Sequence, residues 1–195
     1  MKIICILATC LLLLAACISE PEPQPHTIQN TIRLVNPQGQ QLYHGMTRAA
    51  VAAILGEGEA SFRNAYTYAN DTLIIMYRDD TVAAIINTLA PEWQLANGVY
   101  LGMAVSPDTM LYGMSIGDAW QLLEDLGAHA IDASATFADY HFTAHTDGTL
   151  QLLTTPGQFP HHREQLDLFQ VSLRISDDMI TVISVGDVRM FTTLQ

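Results

Sequence analysis

The chain has 195 residues, with 20 acidic side chains against eight Lys and Arg, a formal charge of −12. Such a surface is repelled by nucleic acid and by anionic headgroups, and no glycine-rich phosphate loop or basic cluster offsets it, which speaks against phosphate-rich ligands as well. The only lysine is Lys2, and the cysteines are Cys5, Cys10 and Cys17.

Met1-Lys2 is a minimal basic start, and Ile3 to Leu14 is an almost unbroken apolar run, too short to span a bilayer comfortably. Small residues then lead to Cys17. Leu14-Ala15-Ala16-Cys17 resembles the lipobox of bacterial lipoproteins, with an ordinary signal peptide carrying a chance cysteine, or an uncleaved anchor, as the competing readings. The resemblance implies cleavage of residues 1–16, a palmitate-type lipid on Cys17 and a place in the cell envelope outside the cytoplasm, at the outer membrane if the organism is Gram-negative. Cys5 and Cys10 leave with the signal, so no disulfide is available even in a compartment that permits one. Residues 17–30 read as the lipidated cysteine and a tether: Pro21, Pro23 and Pro25 alternate with polar residues and favour an extended spacer of roughly 3 Å per residue.

The body is expected to start near Thr27, and a first unit to occupy residues 31–97. Thr31 to Val35 alternates as a strand does, and Asn36-Pro37-Gln38-Gly39 is a turn. Leu42-Tyr43-His44-Gly45-Met46-Thr47 leads into a short helix. Thr47 caps it, Val51, Ile54 and Leu55 share a face, and Gly56 stops it. Ala65–Ala69, Thr72–Tyr77 and Val82–Thr88 follow as a three-stranded meander, its second turn built on Asp79-Asp80.

Residues 98–195 read as a second, elaborated unit. Leu111-Tyr112-Gly113-Met114-Ser115 echoes residues 42–47 and opens a helix capped by Ser115 or Asp118, with Ala119, Leu122, Leu123 and Leu126 on one face and Gly127 at its end. Two hairpins are expected, Asp139–His145 with Thr149–Leu153 and Leu168–Ile175 with Ile180–Val185, the latter turning on Asp177-Asp178 as the first unit turns on Asp79-Asp80. Helix and terminal hairpin recur in the same order, the signature of a duplication with an insertion. The fold class is therefore α+β, two tandem units, each a short helix or helix pair packed on one face of an antiparallel sheet.

A Gly-Met-Ser/Thr helix start, a Leu-Gly helix end and a following meander, repeated behind a lipobox, resemble the β-lactamase-inhibitor-protein fold and the BamE/SmpA-like envelope lipoproteins. The resemblance covers residues 42–88 and 111–185. It implies a curved sheet whose open face grips a protein partner, and it transfers no contact residue.

No catalytic constellation is read from the sequence: there is no Ser-x-x-Lys and no free cysteine, and no cofactor is implied. Asp79-Asp80 and Asp177-Asp178 sit where hairpins want aspartate. His141 and His145 share a strand face behind Asp139, and His161-His162 lies in the long loop of the second unit. These are weak metal candidates whose spacing matches no ligand pattern. Tyr66 and Tyr68, and Tyr140 and Phe142, are the candidate partner-binding aromatics, since tyrosine is favoured at interfaces, with core packing as the alternative. The expectation is a non-enzymatic interaction or assembly factor, bound to the membrane through Cys17 and to another envelope protein. The rival is a small-ligand or metal binder using the His-rich second unit.

Overall fold

The computed structural model of the chain describes residues 26–127, 136–159 and 168–191. Cys17, the signal expected over residues 1–16, most of the proline-rich stretch and His161-His162 lie outside the described residues. No helix among those described is long and apolar enough to cross a membrane.

At the start of the body Thr27 and Asn30 form a reciprocal capping box for α1 (Ile28–Thr31). That turn removes Thr31 from the strand expected over residues 31–35, leaving β1 as Arg33–Val35. A turn closed by the Gly39 N–H on the Asn36 carbonyl (2.9 Å) joins β1 to β2 (Gln41–Tyr43). The Thr47 hydroxyl accepts from the Ala50 N–H at 3.3 Å and starts α2 (Arg48–Leu55). Then come β3 (Glu59–Ala60), β4 (Ala65–Tyr68), β5 (Leu73–Arg78) and β6 (Thr81–Asn87).

Residues β7 (Gln94–Leu95) return to pair with β1. β8 (Met110–Leu111) and β9 (Met114–Ser115) form a small hairpin that leads into α3 (Ile116–Asp125). The cap of α3 is Ser115: its Oγ accepts from the Asp118 N–H at 3.0 Å and donates to the Asp118 carboxylate at 2.7 Å. The remaining elements are β10 (Thr136–Ala144), β11 (Leu150–Leu152), β12 (Leu168–Ser176), β13 (Met179–Asp187) and α4 (Val188–Phe191).

An eight-stranded antiparallel sheet runs in the order β11-β10-β12-β13-β6-β5-β4-β3. The meander expected in the first half and the two hairpins expected in the second are present, and β13 joins β6 to make one sheet of both, with Ile183 opposite Asn87, Ser184 opposite Ile86 and Val185 opposite Ile85. The architecture is α+β and mostly strand. Strand alternation gives the sheet two faces. One carries the main core, in which Leu73, Ile75, Val171 and Leu173 share a buried cluster with Val51 of α2 and Ile116, Ala119 and Leu122 of α3. The other carries two small clusters, Ala65/Met76/Ala84 and Leu153/Leu168/Val188.

Candidate functional site

The aromatic candidates fall on the core face. Tyr68 is 4% exposed and its hydroxyl meets that of Tyr77 at 2.7 Å, while Tyr140 and Phe142 are fully buried, each with the Tyr112 ring edge-on at 5.4 Å. The partner-binding role expected of Tyr68, Tyr140 and Phe142 is corrected accordingly: these side chains build the core. Tyr66 is half-buried, and the Arg48 guanidinium lies over its ring at 4.2 Å and over that of Tyr77 at 4.7 Å. The signal that could have oriented β4 is its other face, which carries only Ala65 and Thr67.

Tyr68 and Tyr140 occupy matching places but differ in satisfaction. Tyr140 stands opposite Val171 as Tyr68 stands opposite Leu73, yet Ile175 holds the place beside the turn that Tyr77 holds in the first hairpin. The Tyr140 hydroxyl is consequently buried without a hydrogen-bond partner among the described residues. Tyr68→Phe, which strands the Tyr77 hydroxyl, is expected to cost about 1–2 kcal/mol, whereas Tyr140→Phe is expected to be neutral or stabilising by up to about 1 kcal/mol. Urea unfolding of the two variants checks the contrast.

Of the histidine candidates, the structure describes His141 and His145, which do not form a metal-binding group with other described residues. His141 is 8% exposed, with its ring edge-on to Phe159 at 5.1 Å, and His145 is exposed at the end of β10, where its N–H donates to the Thr149 carbonyl. No group of three His, Cys, Asp or Glu side chains that could hold a metal occurs among the described residues.

Asp139, on the same strand face as His141, accepts from Ser172 Oγ at 2.5 Å and from Gln170 Nε2 at 2.8 Å. Burial pushes its carboxyl up to about 6 against those two donors, which favour the charged form. A raised acid binds its proton more tightly when folded, so the stability it contributes is gained as pH falls from 6 towards 4 and lost as pH rises through 6. Over that window wild type is expected to gain about 2–3 kcal/mol relative to Asp139→Asn, from about 1.4 kcal/mol per pH unit. Denaturation midpoints measured at pH 4, 5, 6 and 7 read this directly.

The most repetitive geometry is a backbone clamp that sequence reading placed only in part. Gly45 N–H donates to the Val82 carbonyl at 2.8 Å, the Met46 carbonyl accepts from Val82 N–H at 2.8 Å, and Arg48 N–H donates to the Asp80 carbonyl at 3.0 Å. The same three bonds recur between Gly102 N–H and the Ile180 carbonyl (2.8 Å), Ile180 N–H and the Met103 carbonyl (3.1 Å), and Val105 N–H and the Asp178 carbonyl (2.9 Å). Gly45 and Gly102 adopt φ of 86° and 84°, a region open to glycine, and a turn bond from Met46 to Tyr43 recurs from Met103 to Tyr100, both at 3.2 Å. The partner of Gly45-Met46 at the hairpin is thus Gly102-Met103, not the Gly113-Met114 pair expected from the sequence. Gly113-Met114 keeps only the job of entering the helix. The overlooked signal was plain, since Tyr43 and Tyr100 both begin a Tyr-x-Gly-Met tetrapeptide.

The surfaces around the two clamps differ. At the first, Arg48 Nε lies 2.9 Å from the Asp80 carboxylate. At the second, Val105 replaces the arginine, and Tyr100 and Met179 are 45% and 44% exposed. Compared with protein-family models, curated proteins and solved structures, the chain matches none.

Proposed function

We propose that the chain is a lipid-anchored envelope protein that works without catalysis by holding another protein, and that its body is two tandem copies of one helix-plus-sheet unit. Anchoring is supported by the lipobox-like Leu14–Cys17 behind an apolar run. The duplication is supported by the paired clamps, by Thr47 and Ser115 each capping a helix, and by the hairpins turning on Asp79-Asp80 and Asp177-Asp178 with all four residues at positive φ.

The join between β6 and β13 supports it further. When the two hairpins are matched position for position, Ser184 is the counterpart of Ile86, and these two residues face each other in the sheet. On either side, Ile85 faces Val185 and Asn87 faces Ile183, so the pairings exchange across a local two-fold axis. That is the self-complementary pattern of a symmetric dimer, here within one chain. The turn at Leu95–Val99 matches that at Asn36–Gln40, with Gly98 N–H on the Leu95 carbonyl at 2.8 Å. This match favours a second unit that includes the turn from Leu95, a few residues ahead of residue 98. Helix residues sharing the buried cluster of the sheet favour both helices lying on one face of it.

The observation that carries a binding role is the inequality of the two copies: in the first clamp Arg48 pairs with Asp80, and the second presents apolar side chains beside an acidic turn that has no ion pair among the described residues. A fatty-acid labelling experiment tests the anchor. Wild type is expected to incorporate label and Cys17→Ser to lose it; equal labelling of both would rule the anchor out. Affinity capture from its own membrane tests the holding role, and retention of no protein beyond background would count against it. The rival, a ligand or metal binder, draws on Asp139 and His141 side by side on β10. It requires a zinc-induced thermal shift that His141→Ala removes.

A further inference from the structure

The second clamp differs from the first by one missing charge. In the first, Arg48 follows the Gly-Met pair, its backbone N–H holds the Asp80 carbonyl, and its guanidinium closes on the Asp80 carboxylate at 2.9 Å while resting on Tyr66 and Tyr77. In the second, Val105 makes the same backbone bond to Asp178 but ends in an aliphatic side chain. The aromatic bed is replaced too: Ala138, opposite Leu173, stands where Tyr66 stands opposite Ile75, and Ile175 stands where Tyr77 does. Asp177 and Asp178 have φ of 52° and 59°, against 48° and 62° for Asp79 and Asp80, so the two turns share the left-handed backbone conformation.

Beside the exposed aspartates of the second turn, Tyr100 and Met179 are exposed apolar groups. Ala104 bridges to Met179, and Tyr100 leads the clamp. From Asp79 to His162 the sequence contains no lysine or arginine, so this stretch of the chain supplies no cation to the turn. No ion pair to Asp177 or Asp178 occurs among the described residues.

We infer that the second clamp is a docking site for a protein segment bearing an arginine beside an apolar side chain, the guanidinium taking at Asp178 the place that Arg48 takes at Asp80 and the apolar group lying on Tyr100 and Met179. The first clamp shows that this turn geometry accepts a guanidinium. A partner supplying one in trans gains a charge-assisted contact flanked by apolar burial, the combination of aromatic, Met and Arg side chains that marks interface anchors. The inference rests on the duplicated-unit reading and names the partner chemistry of its second copy.

The probe is the tripeptide acetyl-Leu-Arg-Leu-amide, with the uncharged citrulline analogue beside it, titrated into the full mature chain and followed by NMR. Saturable shifts are expected at Tyr100, Val105 and Met179, weakened about fivefold for citrulline and for Asp178→Asn. Asp147→Asn, an equal loss of charge on the exposed β10–β11 turn, is expected to leave them unchanged. Val105→Arg, which rebuilds the first clamp's arrangement, is expected to abolish binding. Shifts spread over the acidic surface, equal effects of Asp178→Asn and Asp147→Asn, or no saturable shift would overturn the inference. None of these outcomes touches the matching hydrogen bonds of the two clamps, which amide exchange tests separately.

Discussion

Gly186→Ala is expected to prevent the two halves from closing into one sheet. Gly186 faces Ala84 across the β6–β13 join at φ 150°. An added Cβ would lie 2.4 Å from the Ala83 carbonyl oxygen and 2.5 Å from the Ala84 Cα. Both atoms are backbone in the middle of a paired strand, so neither can swing aside as a side-chain tip could. Over-packing and backbone strain cost about 1–3 kcal/mol each, which puts the loss at about 3 kcal/mol or more, a large share of the stability of a domain this size. Gly157→Ala, where no atom lies within 4 Å of the added carbon, is the control expected to leave the unfolding midpoint nearly unchanged. A wild-type midpoint for Gly186→Ala would mean that β6 and β13 do not meet as described.

Asp187→Asn is expected to have the next largest effect. Asp187 is 3% exposed at the end of β13. It accepts from Arg78 Nη1 at 2.6 Å, from Arg189 Nη2 at 2.5 Å and from the Arg189 N–H at 2.9 Å. One carboxylate thereby ties the end of β5 in the first half to β13 and α4 in the second. Removing one partner of a buried pair costs about 3–5 kcal/mol. Both guanidinium groups are partly exposed, 37% and 42%, and can turn to water, which lowers the expected cost to about 2–3 kcal/mol.

The pH dependence separates Asp187 from Asp139. Burial alone would raise the Asp187 carboxyl, but the hydrogen bonds from Arg189 and Arg78 outweigh it and hold the group below its ordinary 3.8. Its contribution is fully present above pH 3.8 and is lost as pH falls through the lower folded value, so Asp187→Asn should flatten only the acid limb of the stability profile. Asp139→Asn should change the profile between pH 4 and 6.

Local chemistry was legible in the sequence wherever a residue acts on its immediate neighbours. Thr47 and Ser115 announce helix starts because a hydroxyl three residues ahead of a free amide caps it. The Asp-Asp hairpins announce themselves because aspartate tolerates the left-handed region at both central positions. Two kinds of feature were hidden. The β6–β13 join depends on strands distant in sequence, and nothing in Ile85 or Val185 names its partner. The facing of Tyr68, Tyr140 and Phe142 depends on which side of each strand meets the core, and an aromatic pair at spacing two fits either side. The correspondence between the Gly-Met segments also lay beyond local chemistry. In the first unit one Gly-Met pair both grips the hairpin and enters the helix, whereas in the second Gly102-Met103 grips and Gly113-Met114 enters, with Pro107 and Thr109 between them bound to the start of α3 through Gly117 and Ile116. The helix start resembles residues 42–47 at Gly113-Met114, whereas the hairpin contacts match at Gly102-Met103.

Amide hydrogen exchange on the protein tests the paired clamps most directly. Gly45 and Gly102 donate to the Val82 and Ile180 carbonyls, both at 2.8 Å, whereas Gly113 sits in the exposed turn between β8 and β9. The account predicts slow exchange at Gly45 and Gly102, similar within about tenfold as for bonds of one cooperative sheet, and fast exchange at Gly113. Protection at Gly113 together with free exchange at Gly102 would contradict it.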